Sequence, residues 1–90
     1  MTFVPVGVVL KNEGDGWIAT VSVNGTTATV HRVRISRAEH ERYGGGDVTA
    51  LVRRSFEFLL ARESNTSILR EFSLGDIERY FPEFAKAIRG

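Results

Sequence analysis

Two apolar runs of period two flank a short polar segment near the start of the chain, and this pattern limits the first third to β-structure. Every second residue is apolar from Val4 to Leu10 and again from Trp17 to Val23. A period of two is typical of strands that bury one face. The glycines and Asx residues of segment 12–16 favour a hairpin loop. The register that places both apolar rows on one face pairs Leu10 with Trp17, Val8 with Ala19, Val6 with Val21 and Val4 with Val23.

A third strand is predicted over residues 28–35, after the strong turn signal Asn24-Gly25. The three strands then form an antiparallel meander. A two- or four-residue loop puts the even-numbered residues of the third strand in the core row, and these include Arg32 and Arg34. Either a β-bulge near His31 changes the face that the strand presents, or the strand extends past the core and the arginines flank it.

The three glycines at positions 44–46 separate this part from a helical part. Before them, Ser36 and Glu39 form a capping-box pattern that predicts a short helix. After them, Asp47 is the expected N-cap of a long helix that extends to about residue 63. Its apolar face contains Val48, Leu51, Val52, Phe56, Leu59 and Leu60 and is widened by Phe58, and its polar stripe contains Arg53, Arg54, Glu57 and Ala61.

The apolar face of the long helix is wider than one face of a three-stranded sheet requires. It therefore implies a second cover, supplied by the C-terminal segment, a partner subunit or both. In that segment, Ile68-Leu69 and Phe72 return to the core as an extended piece, and Ser73 with Asp76 suggests the N-cap of another helix. Pro82 breaks or kinks that helix, and a last short helical turn follows.

The predicted fold is α+β: a three-stranded antiparallel meander packed on one long helix, with a short preceding helix and a helical C-terminal cap. A length of 90 residues fits a single domain. Its segments are the meander at 1–35, the short helix and glycine hinge at 36–46, the long helix at 47–63 and the cap at 64–90.

Composition excludes several functional classes. Twelve basic and eleven acidic residues leave a net charge of +1, too small for a polyanion binder that acts through bulk charge. The chain has no cysteine and two histidines, so thiolate chemistry is excluded and we expect neither a metal nor a cofactor. No apolar run approaches the ~18 residues of a membrane-spanning helix. Because the N-terminus lacks a signal-peptide pattern, we expect a cytoplasmic location without membrane association.

A basic run is the first candidate site. His31, Arg32, Arg34 and Arg37 follow one another with no acidic residue between them. Arginines two apart on a strand project from one face, so Arg32 and Arg34 could contact successive phosphates of a nucleic acid, with Arg37 nearby. The alternative interpretation is a solvated sheet edge whose charges discourage edge-to-edge pairing.

Histidine chemistry is a further hypothesis, which makes a small enzyme the third functional alternative. His31 or His40 could form an acid–base pair with a nearby carboxylate. Their spacing does not require such a pair, and the chain has no nucleophile-elbow motif. We therefore expect no enzyme and assign no catalytic residue.

The densest aromatic cluster lies at residues 80–84. One interpretation is core cover, in which its phenylalanines close over Phe56 and Leu59. The other is a partner-binding surface, because exposed aromatic side chains at a helix break are good interface anchors. The candidate partner interface contains Phe58, Tyr80, Phe81 and Phe84.

Three segments of the C-terminal half stand out together: 55–63 (SFEFLLARE), 65–70 (NTSILR) and 77–83 (IERYFPE). Through them this half resembles a group of small uncharacterised bacterial proteins, and the resemblance implies no activity. In the N-terminal half, residues 12–23 form an acidic glycine-containing turn and then an aromatic-led second strand. In this respect the half is similar in shape to the meander of HicB-like antitoxins. Those antitoxins are small regulatory modules that bind a toxin and often DNA. Segment 24–27 stands where that family has a Pro-Gly-containing segment.

The leading functional hypothesis is a non-enzymatic bacterial interaction module. It binds a protein partner or a second copy of itself, with a homodimer expected, through the long helix and the aromatic C-terminal segment. The alternative is a nucleic-acid-binding regulatory module of antitoxin type that uses the arginine-rich third strand.

Overall fold

The computed structural model describes residues 5–89. The strands β1 (Val6–Glu13), β2 (Gly16–Asn24) and β3 (Ala28–Ile35) are followed by the helices α1 (Arg37–Arg42) and α2 (Val48–Leu60). After a 3₁₀ turn at Asn65–Ser67 come the short strand β4 (Glu71–Ser73) and the helices α3 (Asp76–Tyr80) and α4 (Phe84–Arg89). The strands form one sheet in the order β1-β2-β3-β4, and α2 with the C-terminal segment encloses the core on one of its faces. Within residues 5–89, no helix has the length and apolar character needed to cross a membrane.

The α+β class is confirmed, but the sheet has four strands instead of the predicted three. β4 lies beside β3 and runs parallel to it. The backbone N–H of Arg32 donates to the carbonyl of Arg70 (2.7 Å), and the N–H of Leu74 donates to the carbonyl of Arg34 (2.9 Å). Of the predicted extended piece, only Phe72 lies in this strand, and the three residues of β4 are too few to show a period of two in the sequence.

The predicted register of β1 and β2 is wrong by two residues. The hairpin closes on Gly14 and Asp15 alone, because Gly14 adopts the left-handed backbone (φ 57°) that permits a two-residue turn. The same apolar rows still share one face, since a shift of two residues keeps the alternation. The predicted pair that involves Val4 lies outside the described residues. The observed pairs include Val6 with Val23, Val8 with Val21, Leu10 with Ala19 and Asn12 with Trp17.

The inward face of β3 differs from both predicted arrangements. The loop between β2 and β3 has three residues, 25–27, because Asn24 pairs with Ala28. This odd length turns the odd-numbered residues of β3 inward without a bulge. Arg32 and Arg34 therefore lie on the uncovered face of the sheet. The residues of β3 that enter the core are Thr29, His31, Val33 and Ile35.

Two of the three predicted helix starts are confirmed. The third is not, because the N-cap of α3 is Gly75 instead of Ser73 and it has no side-chain cap hydrogen bond. The Ser36 side chain accepts from the N–H of Glu39, and the Glu39 carboxylate accepts from the N–H of Ser36, which completes the capping box. Asp47 caps α2 by accepting from the N–H three residues further on (3.2 Å). α2 ends at Leu60, earlier than the predicted end near residue 63. All three glycines of segment 44–46, between α1 and α2, have positive φ.

The C-terminal segment of the same chain covers the wide apolar face of α2. The ring of Phe58 packs against the rings of Phe81 and Phe84, with centroid separations of 5.9 and 5.1 Å. Their ring partner is thus Phe58 instead of the predicted Phe56, whose ring lies against His31 (5.4 Å). The break between α3 and α4 falls at the proline, as predicted.

Candidate functional site

A groove opens at the C-terminal end of α2, between the connector 61–70 and α3. Its volume is about 340 Å³, and the buried side chains in its lining are chiefly Ile68, Phe72 and Ile77. Leu69 and Tyr80 also line it and are exposed to 50% and 69%, which leaves large apolar surface in contact with water. The remaining lining residues are Leu59, Glu63, Ser67, Asp76 and Phe81.

One wall of the groove, the connector, is held to β3 by a chain of buried hydrogen bonds. The side-chain amide of Asn65 donates to the carbonyl of Thr27 (2.7 Å) and to the hydroxyl of Thr29 (2.9 Å). This hydroxyl lies 2.8 Å from Nε2 of His31, and Nδ1 of His31 lies 2.8 Å from the carbonyl of Leu69. We call Thr29, His31, Asn65 and the Leu69 carbonyl the buried tether.

The chemistry of the groups in the buried tether determines which of them donate hydrogen bonds and which accept. A carbonyl can only accept, so Nδ1 of His31 donates to Leu69. In the neutral imidazole Nε2 is then the acceptor, and the Thr29 hydroxyl donates to it while accepting from Asn65. Each of these buried side chains therefore has the hydrogen-bond partners that a polar group in a core requires. The connector cannot move away from β3 without breaking them.

The other wall, α3, is held to α1 by charged groups nearer the surface. The Arg42 guanidinium donates two hydrogen bonds to the Glu78 carboxylate (2.9 and 2.7 Å), and the hydroxyl of Tyr43 donates to the same carboxylate (2.7 Å). The hydrogen bonds from Arg42 and then Tyr43 lower the pKa of Glu78 to about 2. Burial, and then the hydrogen bond to Glu78, raises the pKa of Tyr43 to about 12. We call Arg42, Tyr43 and Glu78 the ionic tether.

The side chains that line the groove include two acids and no base. Asp76 accepts from the N–H of Ser73 (3.0 Å), and its other oxygen lies 3.7 Å from the guanidinium of Arg79. Glu63 is half-buried and forms no ion pair with another of the described residues. Glu63 is therefore the carboxylate that a cation brought by a ligand would meet.

The four residues of the predicted partner interface do not form one surface. Phe58 and Phe84 are buried, and the guanidinium of Arg62 lies over the Phe58 ring, 3.6 Å from its centroid. Phe81 is half-buried and Tyr80 is exposed, and both line the groove. Only this second pair offers surface to a partner in the described chain.

The predicted nucleic-acid contacts lie on the uncovered sheet face and at its corner, where acidic residues offset part of their charge. Arg32 lies 3.5 Å from Glu71, and Arg34 donates to the hydroxyl of Ser73 (3.3 Å). Arg34 also shares a shallow cleft with Arg37. The carboxylates in this cleft belong to Glu13, Asp15 and Glu39.

Neither histidine has a carboxylate partner among the described residues. His31 belongs to the buried tether. Nε2 of His40 donates to the carbonyl of Gly46 (2.7 Å), and the His40 ring packs edge-on against Trp17 (5.0 Å). Within residues 5–89, no cluster of three potential ligand side chains is placed to hold a metal ion. The described geometry around the two rings therefore gives acid–base chemistry no support.

Sequence reasoning did not identify Glu63, Ile68 or Leu69 as parts of a site. One signal was present, the apolar pair Ile68-Leu69 inside a polar connector. In an extended segment neighbouring side chains point to opposite sides, so only one member of such a pair can enter the core. Ile68 is buried and Leu69 is exposed, so the predicted return of both residues to the core is wrong for Leu69.

Comparisons with models of protein families, with curated proteins and with solved structures find no match for this chain. The resemblances stated from the sequence therefore stay predictions.

Proposed function

We propose that this chain is a protein-interaction module that binds a segment of a partner protein in the groove beside α3. The bound segment carries a large apolar side chain next to a lysine or arginine. The observation that carries the proposal is the groove itself, where Leu69 and Tyr80 expose apolar surface beside buried apolar side chains.

The size and chemistry of the groove suit one anchoring side chain and its neighbour. Ligand pockets have volumes of roughly 300–1,000 Å³, and the groove, at about 340 Å³, lies at the small end of that range. Exposed apolar surface around a concavity is typical of interaction sites. Because Glu63 has no cation partner among the described residues, a basic residue beside the apolar anchor adds charge complementarity.

Selection from a random peptide library displayed on phage tests the proposal. The wild-type protein should enrich segments in which Phe, Leu or Trp neighbours Lys or Arg. Glu63→Lys should enrich segments with an acidic neighbour instead, because the charge of the lining is reversed. Glu57→Lys is the matched control, since Glu57 is exposed on α2 outside the groove lining, and it should select the same peptides as the wild type.

Binding of one enriched peptide, made synthetically, then locates the site. Tyr80→Ser should weaken its affinity by about tenfold or more, as expected for an aromatic anchor at an interface. The proposal is rejected if the wild type enriches no peptide, or if Glu63→Lys selects the same charge as the wild type.

Nucleic-acid binding is the second candidate function, favoured by three cations on the uncovered face of the sheet. Lys11 and Arg34 occupy one cross-strand row on either side of Ile18, and Arg32 lies two residues away on β3. Fluorescence anisotropy with labelled single-stranded and duplex DNA should show an affinity that falls steeply with salt. Arg32→Ala combined with Arg34→Ala should abolish it, and binding that survives this double substitution rejects the assignment.

A further inference from the structure

The outer edge of β1 presents a row of backbone groups without a partner in residues 5–89. Among the described residues, β1 is the first strand in the sheet order and has β2 as its single neighbour. The N–H of Asn24 donates to the carbonyl of Pro5 (3.1 Å), and hydrogen-bonded pairs alternate along antiparallel strands. The odd-numbered residues of β1 are therefore bonded to β2. The residues whose N–H and C=O groups point outward are Val6, Val8, Leu10 and Asn12.

The two edges of the sheet differ in their protection against pairing with another strand. Natural edge strands are protected by being short, or by carrying prolines, bulges or several charges. β4 has three residues, and the charged Arg70 and Glu71 lie at its start. β1 has eight residues, pairs with β2 without a bulge and contains no proline. Its charged side chains are Lys11 and Glu13, at the end next to the turn.

We propose that β1 pairs antiparallel with β1 of a second copy of this chain, about a two-fold axis at Val9, so that the two sheets become one. In this register Val8 faces Leu10 of the partner subunit, and Val6 faces Asn12 of the partner subunit. The four outward-pointing residues are thus paired only with one another, and every N–H and C=O of the row obtains a partner. A shift of the axis to either neighbouring residue leaves part of the row unmatched.

The side chains of β1 fit the same register. Val9, exposed to 69%, meets Val9 of the partner subunit at the axis, where non-hydrogen-bonded pairs bring side chains closest. On the other face of the sheet, Val6, Val8 and Leu10 are half-buried. The side chains of the second copy's β1 would shield them further from water. Lys11 faces Gly7 of the partner subunit, so like charges do not oppose each other. This complementarity of the strand with itself favours a second copy over an unrelated strand.

Light scattering of the purified full chain at two concentrations tests the proposal. The wild type should have twice the 10.0 kDa mass of one chain. Val9→Lys should be monomeric, because it places two lysines opposite each other at the axis. Val30→Lys is the matched control, since Val30 is exposed to 55% on the same sheet face but lies on β3, which has a strand on each side. It should stay dimeric.

Amide hydrogen exchange gives a second measurement that does not depend on a variant. The outward N–H groups of Val8 and Leu10 should exchange more slowly as protein concentration rises, whereas the N–H of Val9, bonded to β2, should not change. A wild type that is monomeric at both concentrations overturns the proposal, and so does a folded Val9→Lys variant that stays dimeric. Peptide selection by the groove is independent of this edge, so either proposal can fail without the other.

Discussion

The two tethers hold opposite walls of one groove by different physical means. The buried tether joins the connector to β3 through amide, hydroxyl and imidazole groups that are enclosed in the core. The ionic tether joins α3 to α1 through a guanidinium and a carboxylate that water reaches. Enclosed polar groups are costly to leave unpaired, whereas exposed ion pairs are weakened by water and salt. The connector wall is therefore the firmly held one, and the α3 wall is the one that solution conditions can loosen.

The largest effect is expected from breaking the buried tether at its centre. His31→Leu keeps an apolar side chain in the core but leaves the Leu69 carbonyl and the Thr29 hydroxyl without their partner. Leaving the buried Thr29 hydroxyl and the partly buried Leu69 carbonyl without this partner should lower the free energy of unfolding by about 2–3 kcal/mol. Urea denaturation followed by the fluorescence of Trp17 measures this change.

A second substitution tests whether the buried tether acts as one unit. Thr29→Val removes one of the two groups that His31→Leu leaves without their partner, the hydroxyl. Removing both partners of a buried hydrogen bond costs less stability than leaving one of them unpaired. The loss in the free energy of unfolding of the double variant should therefore be about 1 kcal/mol smaller than the sum of the two single losses. Strict additivity of the two changes would contradict the hydrogen-bond chain described above.

A smaller effect, and one that depends on pH, is expected from Glu78→Gln in the ionic tether. The pKa of Glu78 is lowered from 4.5 to about 2, so its contribution to stability is complete above pH 4.5 and is lost as the pH falls towards 2. The stability difference between wild type and Glu78→Gln should shrink across this window. Urea midpoints at neutral pH and between pH 4.5 and 2 measure it. A difference that stays constant throughout would show that the carboxylate charge does not hold α3.

Tyr43 provides the corresponding test in alkali. The pKa of Tyr43 is raised from 10.0 to about 12. The contribution of its protonated hydroxyl to folding stability is therefore complete below pH 10.0 and is lost as the pH rises towards 12. The chain has two tyrosines, and Tyr80→Phe leaves Tyr43 as the sole tyrosinate chromophore. Its absorbance should titrate near pH 12. Adding Glu78→Gln should lower the midpoint only in part, because burial is the larger cause and remains.

Much of the framework around the tethers is predictable from local sequence. The apolar alternation indicates β1 and β2, and Ser36 with Glu39 and then Asp47 indicate the starts of α1 and α2. Each of these signals lies within a few residues and has one structural meaning.

The faces of β3 and the groove are not predictable in this way. The face of β3 depends on whether the loop before it has an odd or even number of residues, and its inward row contains the polar Thr29 and His31. These side chains can be buried only because Asn65 and the Leu69 carbonyl satisfy them from far along the chain. The groove likewise joins α2, the connector, β4 and α3, a juxtaposition that no local pattern encodes.

The smallest effect is expected beside the ionic tether, where α1 meets the turn before α3. One oxygen of Glu39 accepts from the N–H of Gly75 (2.7 Å), and a Cβ on Gly75 would lie 2.7 Å from that oxygen. Gly75→Ala therefore displaces the carboxylate and forfeits one hydrogen bond, a loss of about 1 kcal/mol. The φ of −64° at this position suits alanine. Because alanine has less conformational entropy than glycine in the unfolded chain, the substitution also stabilises the folded state by about 0.4–1 kcal/mol. Urea denaturation should show almost no net change, whereas the same substitution in a Glu39→Ala background should be stabilising, since no carboxylate is then displaced. Equal changes in both backgrounds would mean that Glu39 does not help to hold α3.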